Sequence, residues 1–378
     1  MNTTQTVDTT IPITIRVNGG NLAVHGSEQM NEAQIISALG SRQEDGAYHV
    51  GGHAVLRVPA RSALNLEGII SEGAISNVRE VMLESVAGNL AVNRVGRLAV
   101  ADDLHGNTVL RHINEALTLN AVHGNVAARR LHSMHADSIY GNLAVSEVSD
   151  AIQIDHVMGN VALDKIGPSA HFDQIDGRLA LNGPLADDGN YQFIVKGKVR
   201  LRVSGNVHFV LHTPGAVRFG EGIEGGQNED GEWELFLGAR ENAARVDIES
   251  DRDVEINFPF AHSWNAFSMG PEFEESMAEM RRAIDEVKET VRNNFAGEEG
   301  AFLFGQSGDW QRMGENIGQS VQAIVNDFID SLRPQPVSRR RTEPSSAPSG
   351  DELQTVLKMV EQGEISAEEA EKLIDAMS

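Results

Sequence analysis

A glycine followed by asparagine or arginine recurs at Gly88, Gly106, Gly124, Gly141, Gly159 and Gly177, in steps of 18, 18, 17, 18 and 18 residues. Internal repetition at a fixed period restricts a chain to stacked architectures. Apolar residues sit at constant offsets behind each glycine. From Gly141 they are Leu143, Val145, Val148, Ile152, Ile154 and Val157; from Gly159 they are Val161, Leu163, Ile166, Ala170, Phe172 and Ile175. Each unit is thus two halves of the form apolar-x-apolar-x-x-apolar. The i, i+2 pair is a short strand with two inward side chains, and the third apolar residue lies past a corner. A helix would need the i, i+3, i+4, i+7 pattern, which this stretch lacks. Glycine at the corner accepts φ > 0, and stacked asparagines can hydrogen-bond from one rung to the next.

The expected fold is mainly β: a single-stranded β-solenoid, or parallel β-helix, of about eighteen residues per rung, followed by α-helices and a C-terminal helical hairpin. Weaker copies of the repeat extend it to residues 1–260. They include Ile13, Ile15 and Val17; Leu22 and Val24; Leu64, Leu66 and Ile69; Val81, Leu83 and Val86; Gly205-Asn206; and the runs 233–237, 246–248 and 254–258. At about 4.8 Å per rung, the regular stretch 52–187 would be about 35 Å long. Aromatic residues make up only 5% of the chain, so Val, Leu, Ile and Ala must fill the core.

The period changes after Pro271. Phe273, Met277, Met280, Ile284, Val287, Val291 and Phe295 make one amphipathic helical stripe, and Trp310, Met313, Ile317, Val321, Ile324, Phe328 and Leu332 make a second. This pair, 271–332, is expected to cap or flank the β-domain, with oligomerisation or peripheral membrane association as alternatives. Its acidic polar faces make anionic lipid a poor target. Residues 333–350 are a Pro- and Ser-rich disordered linker carrying Arg339-Arg340-Arg341. In 351–378, Leu353, Val356, Leu357 and Val360 form one helical face, and Ser366-Ala-Glu-Glu369 opens a second helix by a capping box. Leu353, Val356, Leu357, Val360, Ile365, Leu373 and Ile374 are the expected partner-binding residues, because two such short helices must dock on something to bury their apolar faces.

The string Leu357-Lys-Met-Val-Glu-Gln-Gly-Glu-Ile-Ser-Ala-Glu-Glu-Ala-Glu-Lys-Leu-Ile374 resembles the helical hairpin of bacterial envelope-stress proteins of the Lia and phage-shock type. The Gly-Asn-Leu-Ala-Val rungs and the segment from Ser250 to Phe258 resemble the adhesin-type β-solenoid domain joined to that hairpin in the same group. The repeat is also similar to that of bactofilin filaments. The hairpin and adhesin-type resemblances together imply an envelope-stress or regulatory role without catalysis; the bactofilin resemblance implies a self-assembling polymer.

The net charge is −24, which repels polyphosphate, so nucleic acid is not an expected partner. With no cysteine, thiolate metal sites and a cysteine nucleophile are excluded. No apolar run is long enough for a transmembrane helix. The first ten residues lack the basic and apolar regions of a signal peptide, so a cytoplasmic location is expected and a surface adhesin is disfavoured. His105 and His123 share a rung position and should lie about 4.8 Å apart. Tyr140 and Met158 follow there, which points to space-filling rather than a metal ladder. His132 and His135 have an HxxH spacing without a third ligand. The acidic pairs Asp102-Asp103 and Asp187-Asp188 fall at separate corners, and there is no phosphate loop. The expectation is a non-enzyme without cofactor or metal, a scaffold that binds a protein partner or itself.

Overall fold

A computed structural model describes residues 3–7, 12–37, 39–52 and 54–257. The strands run β1 (Thr3–Val7), β2 (Ile13–Asn18), β3 (Asn21–Ser27), β4 (Ala33–Ser37), β5 (Ser41–Glu44), β6 (Ala47–Gly51), β7 (Ala54–Pro59) and β8 (Ala63–Ile70). Three strands of 15 residues follow: β9 (Glu72–Val86), β10 (Leu90–Leu104) and β11 (Thr108–Val122). Short strands come next: β12 (Val126–Leu131), β13 (Met134–Ile139), β14 (Leu143–Val148), β15 (Ala151–Val157), β16 (Val161–Asp164), β17 (Ser169–Ile175), β18 (Leu179–Pro184), β19 (Asn190–Val195) and β20 (Val199–Ser204). The last are β21 (Val207–His212), β22 (Val217–Phe219), β23 (Ile223–Gln227), β24 (Trp233–Leu237), β25 (Ala244–Ser250) and β26 (Val254–Ile256).

All 26 strands belong to one sheet. The long strands β9, β10 and β11 bend through a corner and serve two ladders at once. One ladder continues in parallel through β13, β15, β17 and β19, the other through β12, β14, β16, β18 and β20. The glycine period is the register of these ladders: Leu143 pairs with Val161, which pairs with Leu179. Leu143, Val145 and Val148 are all buried, as the half-unit pattern requires. The sheet wraps around one continuous apolar core and nearly closes on itself. Towards β19 the core turns aromatic, with the Phe172 and Phe193 rings 5.6 Å apart. Tyr191 is buried there because its hydroxyl donates to the Gly167 carbonyl at 2.9 Å and accepts from the Ala186 N–H at 3.1 Å.

The expected β-solenoid followed by helices is corrected by this architecture. The described residues contain strands and no helix, in one nearly closed sheet of mixed direction. A solenoid stacks its rungs in chain order, and here chain order breaks at both ends. β2 lies between β6 and β8, and β3 between β7 and β9. At the other end β25 lies between β19 and β21, and β26 between β20 and β22. Antiparallel pairs are added outside these: β1–β4, β4–β7 and β5–β6 at one end, β21–β24 and β23–β24 at the other. The helical pair 271–332, the linker 333–350 and the hairpin 351–378 lie outside the described residues.

Two residue-level expectations also change. Ile69 was expected inside, yet it is 58% exposed while Ile70 is buried. Gly68, at φ +88, puts a register shift between Leu66 and Ile69, which turns the next side chain over. The repeat glycines were expected to supply positive φ. They do not; a Cβ at Gly106, Gly124 or Gly159 would instead overlap the backbone carbonyl of the glycine one rung earlier. Their role is close approach of stacked backbones.

Candidate functional site

The asparagine after each glycine builds a ladder along the sheet. Asn89 Oδ1 accepts from the Asn107 backbone N–H at 3.0 Å, Asn107 from Asn125 at 3.1 Å, Asn125 from Asn142 at 2.9 Å and Asn142 from Asn160 at 2.8 Å. The side-chain amides donate along the same line, with Nδ2 of Asn125, Asn142 and Asn160 reaching the preceding Oδ1 at 2.9, 3.0 and 3.0 Å. Arg178 closes the column by donating its N–H to Asn160 at 2.9 Å. These bonds fix the corner, and with it the residue just before each glycine.

That preceding position holds the column foreseen from the sequence. The rings of His105 and His123 stack 4.7 Å apart, and those of His123 and Tyr140 4.6 Å apart. Tyr140 and Met158 are 46% and 47% exposed. Both faces of the His123 ring are taken up by its neighbours, as is one face each of His105 and Tyr140. Such a column offers a straight row of imidazole nitrogens and a phenol oxygen. Asp103 approaches His123 Nε2 at 3.6 Å. His132 and His135 do not converge: His132 meets Ser149 at 3.0 Å, whereas His135 meets Asp137 at 3.3 Å. Among the described residues no group of three or more metal-ligating side chains comes together. The acidic pairs Asp102-Asp103 and Asp187-Asp188 stay apart as well, and Asp188 N–H is tied to the Asn242 carbonyl at 3.0 Å.

A second column was missed by the sequence reading. Six residues after each glycine, Arg94, His112, Arg130, Glu147 and Lys165 all adopt positive φ, between 51° and 58°. Gly183 holds the same offset at φ +113, and that glycine was the available signal. The left-handed corner turns these side chains out in a row. Arg130 Nη1 donates to His112 Nε2 at 3.1 Å, so the neutral imidazole carries its proton on Nδ1, facing Asn93 Oδ1 at 3.3 Å. Burial and the guanidinium groups of Arg111, Arg130, Arg94 and Arg129 push His112 down to about 4. Burial opposes ionisation of Glu147, but hydrogen bonds from Arg129 and Arg130, both 2.7 Å at their shortest, outweigh it and hold the carboxyl below its ordinary range. A chain of net charge −24 thus carries a locally basic corner.

An open cleft of about 650 Å³ lies near the N-terminal strands, lined by Arg16, Leu39, Arg42, His49, Glu67 and Glu84 among others. Its charges are largely satisfied: Arg16 pairs with Glu67 at 2.7 Å and Arg42 with Glu44 at 3.1 Å, and Glu84 accepts the Gly68 N–H at 2.6 Å. The expected partner-binding residues Leu353, Val356, Leu357, Val360, Ile365, Leu373 and Ile374 lie outside the described residues.

No match was found among the curated proteins. Among solved structures, a candidate cell adhesion protein from Clostridium sporogenes is 7% identical, covering 68% of this chain and 99% of that one, at a TM-score of 0.15. Residues 351–378 match the SHOCT-like domain. The C-terminal segment is therefore similar to a SHOCT-like domain, and the match does not extend to the Lia and phage-shock hairpin that its string resembles.

Proposed function

We propose that the protein is a non-catalytic scaffold that binds a protein partner, or a second copy of itself, through rigid outer columns and the SHOCT-like segment. The carrying observation is the exposed His105–His123–Tyr140–Met158 column, held at the sheet's own spacing by the asparagine ladder beside it. Side chains fixed in this way lose little further freedom on binding, which favours recognition by a rigid surface. The tethered segment 351–378 would add a second contact through Leu353, Val356, Leu357, Val360, Ile365, Leu373 and Ile374. An envelope-stress or regulatory setting belongs to this reading and rests on the hairpin string alone.

The antiparallel strands on β6, β7 and β21 favour the scaffold over a head-to-tail polymer, because they cover three of the four terminal edges that would otherwise continue the parallel ladders, leaving β22, in parallel with β26, at the fourth. The test is affinity capture with the full-length protein, its Tyr140→Ala/His123→Ala variant and a deletion of 351–378, alongside sedimentation velocity. A partner or self-association that weakens at least tenfold in either variant supports the scaffold. Equal binding by all three forms, or none by any, overturns it.

A further inference from the structure

One ladder has two apolar faces. Ala91, Val109, Ala127, Ala144, Ala162 and Ala180 are paired in register across six strands. Five of them sit between two core residues, as Ala144 does between Leu143 and Val145, and Val109 sits between buried Thr108 and the core residue Leu110, so strand alternation points all six away from the core. None of the six belongs to the core cluster, yet none is more than 6% exposed. Two residues further along β14, Ser146 points the same way; it is 0% exposed and its Oγ has no hydrogen-bond partner among the described residues. The opposite ladder behaves differently, with Thr118, Gln153 and Asp173 exposed on its outer side. An outward strip of small residues closed to water, with a buried hydroxyl beside it, is a seat for another element.

We propose that this outer strip is the docking face for segment 273–295 of the same chain, laid as a helix across the strands. From Ala74 in β9 to Ala180 the strip crosses six strand steps, about 29 Å at about 4.8 Å each. A helix over 273–295 is about 33 Å long. Its stripe, which includes Met277, Met280, Ile284 and Val287, is large and apolar, the complement of a strip of alanines that permits close approach. Charge agrees as well. Arg111 and Arg129 flank the strip with Asp164 in the same rows, and Arg94, Arg130 and Lys165 stand at its corner with Glu147, a net positive set, whereas 271–332 holds 13 acidic and 5 basic residues. The last described strand, β26, pairs with β20 in this same ladder. The intervening residues 258–272 can span about 50 Å when extended, enough to reach the strip.

The chain has no cysteine, so single thiols report cleanly. Ala144→Cys and Ala162→Cys would be made separately in the full chain, with Met158→Cys as an exposed control, and their maleimide labelling rates measured. Protection of at least tenfold relative to the control is expected. It should be lost when Met280→Ser, Ile284→Ser and Val287→Ser are added, with the β-type circular dichroism retained. Strip thiols that label as fast as the control overturn the proposal, as does protection that survives the triple substitution. Protection that disappears on dilution also overturns it, because a second copy would then be the cover. None of these outcomes depends on the partner-capture result, so this proposal and the scaffold reading can fail separately.

Discussion

The repeat glycines are explained by what a methyl group would strike. At Gly124 an added Cβ would overlap the Gly106 carbonyl and crowd the Asn107 backbone N, and neither can move without opening the ladder. Gly124→Ala should therefore destabilise the protein by about 1–3 kcal/mol. Gly226→Ala, where a Cβ meets nothing within 4 Å, should stay within about 0.5 kcal/mol. Urea midpoints of the two variants check this, and equal midpoints would refute the close-approach role. The glycine positions were legible in the sequence, but their cause was not. Turn chemistry predicts positive φ, whereas the left-handed corner is occupied by Arg94, His112, Arg130, Glu147 and Lys165, which have no turn signature of their own.

At the scale of the element, β26 is held by charge as well as by its ladder bonds. Glu255 is buried, and its carboxylate accepts from Lys198 Nζ at 2.8 Å and Arg200 Nε at 3.0 Å, with Arg218 Nη1 at 3.5 Å. Lys198 and Arg200 flank β26 on one side and Arg218 on the other, so one carboxylate pins three strands. Glu255→Ala leaves those cations facing one another and should cost about 3 kcal/mol, because breaking a buried pair strands its partners. Hydrogen exchange should accelerate in β22 and β26 while β14 and β16 stay protected; uniform protection would show that the cluster does not hold the strand. The strands themselves were readable. The run 233–237 is β24, and 246–248 and 254–256 fall in β25 and β26. What the run 254–256 could not disclose is that Glu255, between Val254 and Ile256, faces outward into a cluster of bases.

For the whole molecule, the ends determine whether one copy stays apart from the next. β21 is covered on its outer side by β24, and β24 by β23, a glycine-containing edge strand. Replacing 223–237 with a short Gly-Ser link would expose β21, six residues of mostly apolar sequence, as an unpaired edge, and such edges pair with other chains. Sedimentation velocity should then show association that grows with concentration beyond that of the parent protein; unchanged sedimentation would mean the hairpin does not guard the edge. The amino-acid sequence by itself determined the period, the register of the regular ladders and most of their inward-facing residues, Ile69 being an exception. Glycine contact, the asparagine hydrogen bond and the i, i+2 apolar pair are local features repeated at fixed spacing. Only the tertiary structure decided that β2–β3 and β25–β26 sit inside the terminal strands, that the sheet nearly closes, and that an alanine strip is buried on its outer side. Strands with the same alternating pattern are interchangeable locally, and only contacts between residues far apart in the chain distinguish their places.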